Sequence, residues 1–376
     1  MAHRRFCAIL IPMLLWVAAV AQTAPAAPAA QGLFYAMPGS KAVSSFLEHA
    51  DSIGIFAPQS FSLDRYGVLR GSVPGALSTI ARAHGVPVMP LVINSGFSRI
   101  GAERLLRSPA ARDRAVGALV NTARLQDFMG WQVDFENLPS FERPAFSHFI
   151  AELAGALHRH GLKLSVAVAA RTNNDPYSDN YRDFSGVYDY AALARSADFL
   201  SVMAYPESSG NQPGPLASTP WVEQVLDYVL QSAPPDKVSL GIPTYQTDWM
   251  QRRVRIYWRR RIAGRIHRFY RTIYRFFHRS GPVSVYDDLH WDPTLQAAYR
   301  ISGYGHHRVV TWVEDARSFR AELDLVSQYH LRGYSVWRLG LEDPGIWDGL
   351  PNLNHPAPAA VSTSGPVRLR DIPQIH

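Results

Sequence analysis

The residues best suited to chemistry lie in one stretch, GWQVDFENLP, from Gly130 to Pro139. Trp131, Val133 and Phe135 alternate with Gln132, Asp134 and Glu136. That period of two belongs to a strand with one bulky apolar face and one face carrying an amide and two carboxyls. Two carboxyls two residues apart on one face repel each other as anions and tend to share a proton. The sharing raises at least one pKa, as a general acid working near neutral pH requires. On an edge strand the same residues would be solvated charges. On the inner face of a parallel barrel they would meet the axis. There Asn137-Leu138-Pro139 would end the strand and leave Glu136 at its carboxyl end, where barrel enzymes carry their chemistry.

The elements that could position such a strand recur along the chain. Short apolar segments fall at Leu33–Ala36, Ser52–Phe56, Val86–Ile93, Trp131–Glu136, Leu162–Ala169, Phe199–Ala204, Val238–Pro243 and Tyr334–Leu339. Helical patterns separate most of them. The clearest starts at Pro144, repeats Phe146, Phe149, Ile150, Leu153 and Leu157 at helical spacing, and stops at Gly161. Another starts at Pro220 and carries Val222, Val225, Leu226 and Val229. Eightfold strand–helix alternation predicts an α/β fold, a (β/α)8 TIM barrel, with an insertion in the long gap between the seventh and eighth strands.

The stretch around Asp134 and Glu136 resembles the fourth-strand signature of glycoside hydrolase family 18, the chitinase-like enzymes, especially the bacterial branch reading G-x-x-x-D-F-E-N. Further motifs follow in order, each at or just beyond a predicted strand end. Met203-Ala204-Tyr205 resembles the family's M-x-Y, and Gly241-Ile242-Pro243-Thr244-Tyr245 its G-x-P-x-Y, with Asp248-Trp249 in the following loop. Trp337 matches the tryptophan that floors the sugar subsite, and Thr311 to Ala316 a stretch common before the last helix. The chain departs from the wider family at Met129 and Gln132, where acids are usual, and at Pro206, which separates Tyr205 from Glu207.

The resemblance implies an exported glycosidase acting on β-linked N-acetylglucosamine in peptidoglycan or chitin-like glycans, by a retaining mechanism with no metal or organic cofactor. Glu136 would be the acid and then the base. Asp134 would hold the substrate's acetamido N–H, and Tyr205 would donate to the acetamido oxygen, which acts as nucleophile. Gln132, Met203, Tyr245, Asp248 and Trp337 would contact substrate, with Glu207 or Asp248 standing in for the displaced acid. Tyr205, Tyr245 and Trp337 could instead serve only as barrel packing. A non-catalytic glycan-binding or envelope-anchoring protein on the same barrel is the alternative, although such relatives usually lose the acid that Glu136 supplies here.

Charge is unevenly placed. Eleven arginines lie between Arg252 and Arg279 with no lysine, aspartate or glutamate among them, so this segment outweighs the chain's net charge of +7. Its Trp258, Ile262, Ile266, Phe269, Ile273 and Phe277 are three or four residues apart, which predicts a basic amphipathic helix over 251–279 inside an insertion of about 250–310. Such a helix could pack on the barrel, lie on an anionic membrane surface, or bind an anionic polymer. No recognised motif accompanies the arginines, and an exported protein meets little nucleic acid, so that partner is set aside. Asp287, Asp288, His290 and Asp292 fit neither a calcium loop nor a zinc helix, and read as loop polar groups with Trp291 a possible aglycone contact. No phosphate loop, dinucleotide fingerprint or Ser-His-Asp arrangement is present.

The first residues read as an address. His3, Arg4 and Arg5 precede an apolar run from Phe6 to Val20, with a small-residue cleavage site at Ala19-Val20-Ala21. Residues 1–21 are thus expected to be a signal peptide, 22–31 a spacer, 32–350 the barrel and 351–376 a proline-rich flexible tail. Cleavage would remove Cys7, the only cysteine, which excludes disulfides and thiol catalysis in a periplasmic or extracellular product.

Overall fold

A computed structural model describes residues 31–208, 212–263 and 265–353. The proposed signal peptide and most of the spacer and tail lie outside these residues. Fourteen strands occur among them: β1 (Gln31–Ala36), β2 (Ile55–Leu63), β3 (Leu69–Gly71), β4 (Leu91–Asn94), β5 (Gly130–Asp134), β6 (Lys163–Ala169), β7 (Phe199–Met203), β8 (Val238–Pro243), β9 (Gln246–Ile262), β10 (Arg265–Gly281), β11 (His290–Asp292), β12 (Ala297–Ser302), β13 (Val309–Val313) and β14 (Gly333–Trp337). One sheet runs β1-β14-β8-β7-β6-β5-β4-β2 in parallel, and β1 also pairs with β2, so eight strands close a barrel. The short β3 lies antiparallel on β2.

All eight expected strands are present, with shifted ends. Ser52–Phe56 becomes Ile55–Leu63, and Gln31, assigned to the spacer, already belongs to β1. The ladder of β5 stops at Asp134, so Glu136 stands just past the strand. The two faces of β5 behave as its alternation predicts. Trp131, Val133 and Phe135 are buried in the layer between barrel and helices, where Phe135 stacks on Phe146 and Phe149 of the helix Arg143–His158. The Trp131 indole N–H donates to Leu119 O at 2.9 Å, which satisfies the one polar atom on that face.

The opposite face of β5 enters the barrel. The Gln132 amide donates to the Tyr35 hydroxyl at 2.8 Å and accepts from Ser165. Across the same interior the hydroxyls of Ser201 and Ser239 each lie 2.7 Å from that of Ser335. Small hydroxyl residues let the barrel close tightly while satisfying one another. They form a polar floor beneath the carboxyl ends of the strands.

Between β8 and β14 the chain builds a second sheet, ordered β10-β9-β13-β12-β11. The basic segment expected to be helical is therefore a β-ribbon. Strands β9 and β10 pair antiparallel from Gln246 opposite Gly281 to Ile262 opposite Arg265. Spacings of three and four also arise when a hairpin reverses between two sets of alternating residues, which is how Ile262 and Ile266 come to lie four apart. The segment is rich in β-branched and aromatic residues, and Gly264 at its middle disfavours a continuous helix. Of the polar residues expected to form a loop cluster, His290 and Asp292 instead lie in β11. Asp292 Oδ1 accepts from Thr294 N and Leu295 N, and Trp291 lies beneath the Arg317 guanidinium at 4.6 Å. No group of three metal-ligating side chains occurs among the described residues.

Candidate active site

A cavity of about 830 Å³ opens at the carboxyl ends of the barrel strands. Asp134, the last residue of β5, and Glu136, two residues on, both line it. Because the strand ladder has ended there, side chains from neighbouring elements fix the backbone instead. The Asn94 amide, at the end of β4, donates to Glu136 O at 3.1 Å and accepts from Glu136 N at 2.9 Å. The Tyr188 hydroxyl donates to Phe135 O at 2.9 Å. Asn137 then turns the chain with a φ of 59°, in the left-handed region that asparagine tolerates better than most residues. The Glu136 side chain thus has an anchored backbone on both sides.

Electrostatics couple the two carboxyls. Asp134 is only 5% exposed, and burial pushes its pKa well above the usual range, with the adjacent Glu136 adding repulsion and a hydrogen bond to the protonated form. Burial also raises Glu136, offset in part by the hydrogen bond from Asp134. The pair therefore holds one proton against ionisation. Among the described residues the buried Asp134 Oδ1 has no hydrogen-bond donor, which leaves it able to receive an N–H from a bound molecule.

The other expected site residues divide. Met203, Tyr205, Tyr245 and Trp337 line the cavity with the two carboxyls, as does Glu207. Burial raises the hydroxyl pKa of Tyr205 well above its ordinary value, which keeps it a neutral donor. Gly241 makes room for that ring, since a Cβ there would lie 3.1 Å from Tyr205 Cε1 and 2.4 Å from Val202 O. Glu207 Oε2 accepts from Ser218 N at 2.7 Å, and burial raises its carboxyl.

Two residues expected to touch substrate do not line the cavity. Gln132 is fully buried in the polar floor below Asp134, where it is held by Tyr35 and Ser165. Asp248 sits at the base of the ribbon, where its Oδ1 accepts from Thr311 at 2.8 Å and its Oδ2 lies 3.8 Å from Arg279. Both side chains are held by neighbours within the protein.

Several cavity residues went unremarked in the sequence. Tyr35 lines the cavity, with its ring 5.5 Å from that of Trp337, while Asn94 and Tyr188, outside the lining, hold the backbone at Glu136 and Phe135. Arg171, just beyond β6, also lines the cavity. It lies 4.4 Å over the Tyr190 ring and donates to Tyr188 O at 2.8 Å. Tyr35 and Arg171 share one signal, a polar or aromatic residue at or just beyond the carboxyl end of a barrel strand.

Known proteins resemble this chain in sequence and fold. The model of the family described as Glycosyl hydrolases family 18 matches residues 73–342. The uncharacterized glycosylase YvbX of Bacillus subtilis (strain 168) is 24% identical over 313 residues, 82% of this chain and 86% of that protein. The cortical fragment-lytic enzyme of the same organism is 28% identical over 297 residues, 77% of this chain and 65% of that protein. A chitinase structure from Chromobacterium violaceum superposes with a TM-score of 0.70 at 27% identity, covering 87% of this chain and 98% of that one. The spore cortex-lytic enzyme SleL of Bacillus megaterium, at 23% identity and a TM-score of 0.68, shares the barrel. With the family model spanning most of the barrel, including the strand that ends in Asp134, the chain belongs to glycosyl hydrolases family 18 and is a glycoside hydrolase.

Proposed function

We propose that the protein cleaves β-linked N-acetylglucosamine glycans, peptidoglycan foremost, outside the cytoplasm by a retaining, substrate-assisted mechanism. The observation that carries this reading is the adjacent carboxyl pair Asp134–Glu136 lining the cavity, with the buried Asp134 Oδ1 left without a donor among the described residues. The two carboxyls lie side by side at the end of one strand. They are therefore poorly placed to take the ~5–5.5 Å spacing across a sugar that a protein nucleophile needs, or the ~6.5–9.5 Å that leaves room for an inverting water. Membership of the family then points to the substrate's own acetamido oxygen as the nucleophile.

In this scheme Glu136 passes its proton to the glycosidic oxygen as that bond to C1 breaks. The acetamido oxygen forms a bond to C1 on the opposite face, giving a cyclic oxazolinium ion. Asp134 accepts from the acetamido N–H and stabilises the positive charge, while the Tyr205 hydroxyl donates to the acetamido oxygen. Water then adds to C1 and gives a proton to Glu136, which restores the acid and the configuration at C1. For this sequence the proton shared by the pair must be available to Glu136, and its contact with Asp134 provides the path. Peptidoglycan is favoured by relatives named for cortex lysis and by the proposed N-terminal export signal.

Purified peptidoglycan and chitooligosaccharides, digested side by side and assayed for new reducing ends, test the reading. The wild-type protein is expected to release them, and Glu136→Gln, which keeps the shape but has no proton to give, is expected to lose at least ~10²–10⁴-fold in turnover. A Glu136→Gln variant retaining more than about a tenth of wild-type activity would assign the acid to another group.

A further inference from the structure

The β9–β10 ribbon is the largest feature of the molecule that hydrolysis does not use. Strand β13 pairs with β9 only from Gln246 to Met250, and beyond this base the two strands have each other as their only ladder partners among the described residues. From Gln251 to Ile262 the arm extends about 37 Å at ~3.4 Å per residue. A lone two-stranded ribbon buries too little to be stable on its own, and large apolar side chains are left in water along this one. Trp258 is 46% exposed, Ile262 45% and Ile266 61%.

The register distributes the side chains between two faces, because directly opposed residues share a face. Val254, Ile256, Trp258 and Ile262 fall with Phe269, Ile273 and Phe277 on one face. Tyr257, Tyr270 and Tyr274 fall on the other, with Ile266 and Phe276. Arginines occupy both faces, and Arg252 stands opposite Arg275 and Arg259 opposite Arg268. Like charges directly opposite one another destabilise a ladder. Among the described residues the one carboxylate paired with any of the eleven is Asp248, 3.8 Å from Arg279 at the base. Some guanidinium groups lie over rings, Arg252 over Phe277 at 5.6 Å and Arg255 over Tyr270 at 5.4 Å.

We propose that this ribbon is an arm that docks the protein on an anionic lipid bilayer. The repelling arginines call for an anionic partner, which lipid phosphates supply. The exposed Trp258, Ile262, Ile266 and Phe269 near the tip call for an apolar one, which a soluble polyanion lacks and the acyl boundary supplies. Tryptophan, tyrosine and arginine are the residues that the headgroup zone accepts. The base of the arm follows Tyr245, which lines the cavity, so adsorption would hold the cavity mouth on the membrane side of the barrel. The inference does not depend on which glycan is cut.

Sedimentation of the full chain with phosphatidylglycerol-containing vesicles, phosphatidylcholine vesicles, or soluble inorganic polyphosphate tests it. Binding is expected to the phosphatidylglycerol vesicles, to weaken as salt shortens the screening length from about 10 Å, and to be at least ~10-fold weaker on phosphatidylcholine. Replacing Arg259, Arg260, Arg261, Arg265 and Arg268 together by Gln should reduce vesicle binding at least ~10-fold with the melting temperature unchanged, since these side chains support no core. A second variant, Trp258→Ser with Ile262→Ser and Phe269→Ser, should lose vesicle binding several-fold while binding polyphosphate as the wild type does. Failure of the wild type to sediment with phosphatidylglycerol vesicles would overturn the proposal. So would a tip variant that sediments like the wild type, and in that case equal binding to polyphosphate would identify a polymer site.

Discussion

Asp134 and Glu136 sit where water is scarce, and the second ionisation of the pair must place two negative charges side by side. The last proton is therefore held to a pH above the ordinary carboxyl range, and activity that depends on it should decline as pH rises through that raised pKa. Asp134→Asn removes the opposing charge. Its residual activity on an activated substrate is expected to show an alkaline limb of kcat/KM at lower pH than the wild type, and an unmoved limb would mean that the two groups do not share a proton. Asn94 acts on the same acid through the backbone. Asn94→Ala strands the partly buried N–H and C=O of Glu136, at a cost of up to about 1–3 kcal/mol each. A fall in kcat of about 10–100-fold with KM little changed is expected, and kinetics showing only a KM effect would contradict a positioning role. Glu136 and Asp134 were legible because two carboxyls on one face of a strand imply a specific chemistry. Gln132 has the same parity as Asp134 but one layer lower, and parity alone cannot separate floor from wall. Asn94 and Tyr188 were not legible, since their work is done on the backbone of residues 42 and 53 positions away.

Elements were legible where one face is buried. The alternation in β5 and the 3.6-residue spacing of the helix Arg143–His158 both record a face turned to a core, and both are realised. The ribbon has no buried face beyond its base, so the alternation of Val254, Ile256 and Trp258 is short and is blurred by arginines and tyrosines that occupy both sides. Its β-branched and aromatic content and the central Gly264 were the better signal. The helix Ala316–Gln328 raises a different matter, because its Glu322 and the preceding Glu314 are both buried carboxyls. Burial lifts Glu314 to about 8 from 4.5 and lifts Glu322 in the same direction. Below pH 4.5 folded and unfolded chains both hold the Glu314 proton. From 4.5 to about 8 the unfolded chain releases it and the folded chain does not, so this group's stabilising contribution falls as pH rises through that window. Thermal melts across the window should show the wild type losing more Tm than Glu314→Gln, and parallel losses would mean that Glu314 is ionised in the folded protein.

At the scale of the molecule, a closed barrel brings strand ends from distant parts of the sequence to one rim. Tyr35, Asp134, Tyr205, Tyr245 and Trp337 meet there although they span most of the chain. The barrel was legible from eight apolar segments with helices between them. The antiparallel sheet between β8 and β14 was legible only as an excess of length, because sequence spacing carries no record of which strand pairs with which. Glu207 gives the cavity a third carboxyl, on a different element from the pair, and the one-step inverting alternative would use it as a base. The stereochemistry of the first product separates the two mechanisms. Proton NMR during cleavage of a defined β-linked N-acetylglucosamine oligomer, run beside its deacetylated counterpart, is the direct measurement. The expected result is a β-anomer as first product and hydrolysis of the deacetylated oligomer slower by orders of magnitude. An α-anomer formed first, or equal rates on the two oligomers, would contradict the substrate-assisted mechanism and the roles assigned to Asp134 and Tyr205.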